Sequence, residues 1–287
     1  MKLGLCSVGL ADLTPDRAIT EATRAGYTGI EWRVSDQVAT HGDADFRSNN
    51  YCTVRPTFDD VRAVAASCAA AGLTVVGLNP YLQVGDLDGV EQMMALAATA
   101  GASHIRLRAP APELDGFPEL MLATRNYLAE VSALAEHYQV RGLLEMHHGT
   151  LCPSASLAAR AVAGLPPDAI GVIYDAGNVI VEGYEDHRMA LQILGPYLAH
   201  VHLKNAVFAR PHDGGAWRHR WAPLDDGVLD VPLLLRILDQ AGYRGWIAVE
   251  DLSTDRPTAE TLRFDADYLR RHGEFEPAAT SRVGVTS

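Results

Sequence analysis

Short runs rich in Val, Ile, Leu and aromatic residues recur along the chain. Each follows a longer stretch of small, helix-favouring residues that ends at glycine. Ala25-Gly26-Tyr27-Thr28-Gly29-Ile30-Glu31 sets the pattern, and Ala241-Gly242-Tyr243-Arg244-Gly245-Trp246-Ile247-Ala248-Val249-Glu250 nearly copies it. Ala71-Gly72-Leu73 and Ala100-Gly101-Ala102 open looser versions. Glycine just past a helix accepts left-handed backbone and turns the chain into the next strand. The pattern predicts eight strands, near 3–8, 27–32, 73–79, 104–108, 140–146, 170–175, 199–204 and 245–250. Helices are expected near 15–25, 57–71, 88–100, 118–138, 154–164, 186–196, 230–241 and 257–271, with entry signals such as Thr14-Pro15 and Pro153-Ser154. Strict alternation of strand and helix implies a parallel sheet, and eight units in this length predict an α/β fold of the (β/α)8 TIM-barrel type. The alternative is an open doubly wound sheet, but no Gly-x-Gly-x-x-Gly follows the first strand.

Two connections exceed the usual length between strand and helix: residues 33–56, with His41, Arg47, Tyr51 and Arg55, and residues 205–229, with Arg210, His212, Trp217, His219 and Trp221. Both are expected to act as lids. A single barrel domain is expected over 1–271, followed by a flexible polar tail over 272–287. The 287 residues are 48% hydrophobic and 21% charged, which excludes a wholly disordered chain. No apolar run nears the roughly 18 residues of a membrane span. The opening Met1-Lys2-Leu3-Gly4-Leu5-Cys6-Ser7-Val8 reads as a first strand rather than a signal-peptide core. A net charge of −12 sets the whole field against a polyanion, so no nucleic-acid partner is expected. Cys6, Cys52, Cys68 and Cys152 have no Cys-x-x-Cys spacing and read as free thiols of a cytoplasmic protein.

The strand ends carry the chemistry. Leu143-Leu144-Glu145, Val172-Ile173-Tyr174-Asp175, His200-Val201-His202 and Ile247-Ala248-Val249-Glu250 each close an apolar run with a metal-capable side chain. In a barrel the C-terminal strand ends converge on one mouth. Three carboxylates and an imidazole suit a divalent ion, Mn2+ first, with Mg2+, Co2+ or Zn2+ also suited. Without a cation the carboxylates would repel one another. Taken singly, each residue has an ordinary structural role open to it: Asp175 as a helix cap, His202 as an interior histidine.

The chain resembles the sugar isomerase/epimerase superfamily of xylose-isomerase-like barrels, a group that includes ketose 3-epimerases, hydroxypyruvate isomerase, inosose dehydratase and, more distantly, AP endonucleases. Lys2-Leu3-Gly4, Gly26-Tyr27-x-Gly29-Ile30-Glu31, Glu145-x-His147, Asp175-x-Gly177-Asn178, His200-Val201-His202-Leu203-Lys204-Asn205 and Val249-Glu250 carry the likeness. It implies that Glu145, Asp175, His202 and Glu250 are metal ligands and that Glu145 and Glu250 also move protons. Asn205 departs from the His-Leu-Lys-Asp of many relatives, and Asp225-Asp226-Gly227 from a Gly-Glu-Gly turn. Both departures are expected on substrate-facing loops.

Such a site suits proton removal next to a carbonyl through a metal-stabilised enediolate, with two glutamates as base and acid. Epimerisation, isomerisation and dehydration share these residues. Isomerase or epimerase is preferred by family analogy, with an inosose-type dehydratase or lyase as the runner-up. The substrate is expected to be a sugar or cyclitol. Residues expected to bind it are His147, Lys204, Arg108, Asn178 and Trp217. His147 and Lys204 share a strand face with Glu145 and His202, whereas His148 points away. Arg106 and Arg108 share a face, on which an inward arginine pairs with an acid such as Glu145, and Glu31 is expected to hold an arginine. The Trp and Arg residues of 205–229 also suit a subunit contact, so a homo-oligomer is expected, or a hetero-partner in a larger sugar- or glycoside-processing complex.

Overall fold

The computed structural model of the chain describes residues 1–277 apart from Val38, Thr40, His41, Leu114, Gly183, His212 and Asp213. The loop histidines His41 and His212, and positions 278–287 of the expected tail, thus lie outside the described residues.

The strands are β1 (Lys2–Cys6), β2 (Gly29–Arg33), β3 (Thr74–Asn79), β4 (His104–Arg108), β5 (Arg141–Glu145), β6 (Ile170–Asp175) and β7 (Leu198–Leu203), then β8 (Asn205–Ala209), β9 (Arg218–Ala222) and β10 (Trp246–Val249). All but β8 and β9 form a closed parallel barrel in which β1 pairs with β2 on one side and β10 on the other. The helices are α1 (Pro15–Ala25), α2 (Phe58–Ala70), α3 (Leu87–Ala100), α4 (Phe117–Tyr138), α5 (Ala155–Val162), α6 (Ala176–Glu182), α7 (His187–Leu194), α8 (Val231–Gln240) and α9 (Thr258–His272). The chain is a (β/α)8 TIM barrel.

Local chemistry sets the joints. Pro15 opens α1, and Gly26 ends it at φ 82°, where a side chain would be strained. Thr57, Ser154 and Asp230 cap α2, α5 and α8 by accepting from backbone amides. Ile30, Leu78, Ile105, Leu107 and Ile247 are buried between strands and helices. Each contributes about 1.5–3 kcal/mol relative to exposure.

Two elements were not anticipated. Residues 205–222 form the antiparallel β8–β9 hairpin rather than an irregular lid, with Asn205 opposite Ala222 and Ala209 opposite Arg218. The alternating exposure along β9, with Arg218 and Arg220 outward, matches its Arg-His-Arg-Trp sequence. Helix α6 starts directly after β6, where Asp175 Oδ1 accepts from Asn178 N at 2.9 Å. Beyond α9, the Met1 ammonium donates to Glu274 O and Glu276 N donates to Met1 O. All four cysteines are buried and free, and no described helix is long and apolar enough to cross a membrane.

Candidate metal centre

Strands β5, β6, β7 and β10 are consecutive staves of the barrel. Glu145 ends β5, Asp175 ends β6, His202 lies in β7 and Glu250 follows β10. One ligand atom from each lies within 4.8 Å of all the others, and all four side chains are buried. Two cations restrain the acids. The Lys204 ammonium donates to both Asp175 and Glu250. Arg106 Nη1 donates to Glu145 Oε2 at 3.3 Å. Burial would raise the Glu145 carboxyl, but the charge of Arg106 and a hydrogen bond from His202 hold it well below the usual range. At Asp175 burial prevails over the Lys204 charge and raises the carboxyl. Three carboxylates and an imidazole nitrogen converging on one point fit a divalent cation. The positive charge that Lys204 brings there shows what the acids require.

Beneath this rim lies a second cluster. Glu31 of β2, wholly buried, faces His104 Nε2 at 3.0 Å, His200 Nε2 at 3.2 Å and His202 Nε2 at 2.8 Å. Burial alone would raise Glu31, but the charges of His202 and His200 and hydrogen bonds from His104 and His200 keep it well below the usual carboxylate range. Burial lowers His200 to about 4. Glu31 therefore holds three imidazoles, not the expected arginine. By taking the Nε2 side of His202 it leaves Nδ1 toward Glu145, 3.2 Å away, the arrangement that orients a metal-bound histidine. The signal was available in the sequence: His104 shares the face of Arg106 and Arg108, and His200 that of His202 and Lys204, each one barrel layer lower.

A cavity of about 310 Å³ opens above the centre and is lined in part by Arg108, Glu145, His147, His148, Lys204 and Glu250. His147, Arg108 and Lys204 thus stand where the sequence placed them. His148 does not: β5 ends at Glu145, strand alternation stops there, and both rings line the cavity, stacked at 4.5 Å. Asn178 borders the cavity, but its amide is engaged. Its Nδ2 donates to Asp175 Oδ2 and Met146 O, and its Oδ1 lies 2.7 Å from His148 Nδ1. It supports the wall rather than reaching into the cavity. Trp217 stands at the hairpin tip, 64% exposed, beyond the paired part of β9; the indole on the cavity is Trp221. Asn205 does not face the cavity either. Buried, it donates to Leu224 O and Leu229 O and accepts from Leu229 N, a bracket that a carboxylate could not make. Gly227 packs against it, where a Cβ would meet Asn205 Oδ1 at 2.1 Å.

Two further features complete the wall. Arg33, 2% exposed, donates to Tyr81 Oη at 3.3 Å and Gln37 O at 3.3 Å, pinning the 33–56 connection that brings Phe46 and Arg47 to the cavity. Gly177 leaves room for Lys204, since a Cβ there would stand 2.2 Å from Lys204 Cγ.

Residues 19–272 match the family model described as xylose isomerase-like TIM barrel. An inosose dehydratase of Erwinia tasmaniensis is 30% identical over 145 residues, covering 45% of this chain and 47% of that relative. The chain spans 38% to 51% of the length of the curated relatives it matches. Among solved structures, the IolI protein with a binding zinc atom superposes with a TM-score of 0.74 at 17% identity, covering 96% of this chain and 100% of that one. The 3-keto-D-glucoside 4-epimerase of E. coli superposes with a TM-score of 0.71 at 16% identity, covering 94% and 99%. At these identities the structural likeness is one of fold.

Proposed function

Because the chain belongs to the xylose isomerase-like TIM barrel family, we propose that it is a divalent-metal-dependent isomerase or epimerase of a ketose or keto-polyol, acting by proton removal next to a carbonyl. The observation that carries this reading is the convergence of Glu145, Asp175, His202 and Glu250 on one point at the foot of the cavity. These four would hold the ion, with Mn2+ as the first candidate and Mg2+, Co2+ or Zn2+ as others. When bound, the ion supplies Lewis acidity that stabilises negative charge developing on adjacent carbonyl and hydroxyl oxygens. Glu145 and Glu250 come from the two outermost of the four staves, β5 and β10, so one removes the proton and the other returns it. Arg106 orients Glu145, and Lys204 orients Glu250 while presenting its ammonium to a substrate oxygen. His147 and Arg108 position hydroxyl groups from the wall.

A second reading, a lyase, draws on the stretch 30% identical to an inosose dehydratase. It begins with the same proton removal and ends in loss of a β-hydroxyl. Incubation with ketoses and inososes in D2O plus Mn2+, followed by NMR, tests both. Deuterium beside the carbonyl with no loss of water supports isomerase or epimerase; loss of water supports the lyase. No exchange into any compound, with metal bound, would sink both.

A further inference from the structure

A second depression, of about 380 Å³, adjoins the cavity over the metal centre, and the two share Phe46, Arg47, Trp221 and Leu252 as walls. The inner cavity already reaches the ~300 Å³ lower end of small-molecule sites, so it houses one sugar ring by itself. The outer room is surplus to a monosaccharide. Its walls differ from those of the inner cavity. At the foot of the inner cavity lie carboxylates, Lys204 and Arg106; the outer room offers ring faces. The rings run continuously between the two. His147 stacks on His148, His148 meets His219 edge-on at 5.3 Å, and His219 meets Trp221 at 5.0 Å. The β9 alternation turns His219 and Trp221 toward this wall, while Arg218 faces solvent and Arg220 borders the rim of the outer room. Of the charged groups on the outer room, Asp45 accepts from Ser48, Arg220 donates to Asp255, and the Arg47 guanidinium lies over the Phe46 ring at 5.2 Å. What remains there is surface for stacking, and stacking selects a ring.

We infer that the substrate is a keto-sugar carrying a second ring through a glycosidic bond, and that the outer room bounded by His219 and Trp221 is the subsite for that ring. The inference rests on the sugar-processing reading for the inner cavity and adds the substrate class to it. Trp221 ties the two subsites together, since its ring also lies 5.4 Å from the Lys204 ammonium.

The test measures binding rather than turnover. The full-length, Mn2+-loaded protein is titrated by calorimetry with methyl and phenyl β-D-glucopyranoside, which differ only in the outer group. The phenyl glycoside is expected to bind about tenfold more tightly, the factor that an added aromatic contact supplies. His219→Ala, which removes a wall of the outer room and no lining residue of the inner cavity, should cut that ratio to about twofold. Thr254→Trp, which fills the room, should erase it and serves where the first variant folds poorly. Equal affinities in the unaltered protein, a preference that survives both substitutions, or no binding of either glycoside would overturn the inference. The deuterium-exchange assay decides the metal chemistry separately. A phenyl preference without exchange keeps the subsite and removes the isomerase reading; exchange with equal affinities does the reverse.

Discussion

Two buried clusters of the same residue types sit one above the other in the barrel and share His202, yet their charge arithmetic is opposite. In the lower one a single carboxylate, Glu31, faces three imidazoles, and every contact is an ordinary hydrogen bond of 2.8–3.2 Å. In the upper one three carboxylates face one imidazole and draw in Lys204 and Arg106. Both groups bring metal-capable atoms close together. Proximity of suitable atoms is therefore a poor guide to a metal site, and unbalanced negative charge is a better one. The lower cluster is complete without an ion, whereas the upper one has an anionic excess that its two side-chain cations only share out. On this view Glu31, His104 and His200 are a foundation that fixes the orientation of His202.

The comparison can be broken or sharpened by substitution, beginning where the effect should be greatest. Glu250→Gln removes one proton-transfer group and one proposed ligand. Exchange of substrate hydrogen with D2O is expected to fall by about 10²–10⁴. A variant that still exchanges at the parent rate would remove Glu250 from the mechanism. Glu31→Gln leaves the rim intact but frees the Nε2 side of His202. Competition against a chelator should show metal affinity reduced by about 10–100-fold. An unchanged affinity would reduce Glu31 to a packing residue.

His104→Leu separates the two clusters more finely. The lower cluster loses a partner for Glu31, so urea unfolding should show a loss of about 1–3 kcal/mol. Metal stoichiometry by mass spectrometry should stay at one ion per chain. Two ions in the parent and one in this variant would mean that the lower cluster binds metal after all.

A third buried group, an acidic pair with no histidine, extends the comparison at the smallest scale. Asp251 and Asp265 line a cavity of about 20 Å³, and Asp265 is 1% exposed. Burial raises the Asp265 carboxyl well above the usual range, and the charge of Asp251 adds to the shift. A raised value means that the folded chain keeps a proton which the unfolded chain releases above about pH 4, so this group costs stability as pH rises from there. Asp265→Asn removes that cost while keeping a donor beside Asp251. A gain of about 1 kcal/mol near pH 7, vanishing below pH 4, is expected from thermal unfolding across that range. A variant that gains nothing near pH 7 would show that Asp265 does not keep its proton in the folded chain.

Much of the candidate site was legible because each of its four acids and bases closes an apolar run, and a closed parallel barrel gathers such ends. Glu31, His104 and His200 were not read as a group because they lie on β2, β4 and β7, which are not neighbours in the barrel wall. Trp217 and Trp221 look equivalent as letters. Only the pairing of β8 with β9 separates the exposed tip from the indole on the cavity. Asn205 read as a lost acid and proved to be a bracket whose amide both donates and accepts.

The sequence by itself determined the order of the barrel strands and the helices between them, apart from α6, together with the barrel class and the chemistry at the strand ends, because hydrophobic periodicity and helix-ending glycine act over a few residues and need no distant partner. The tertiary structure alone decided which acids are balanced, which rings line the cavity and which polar groups are already engaged. Those outcomes depend on charges and hydrogen bonds across the barrel lumen, where groups as far apart as Glu31 and His202 meet only once the sheet has closed.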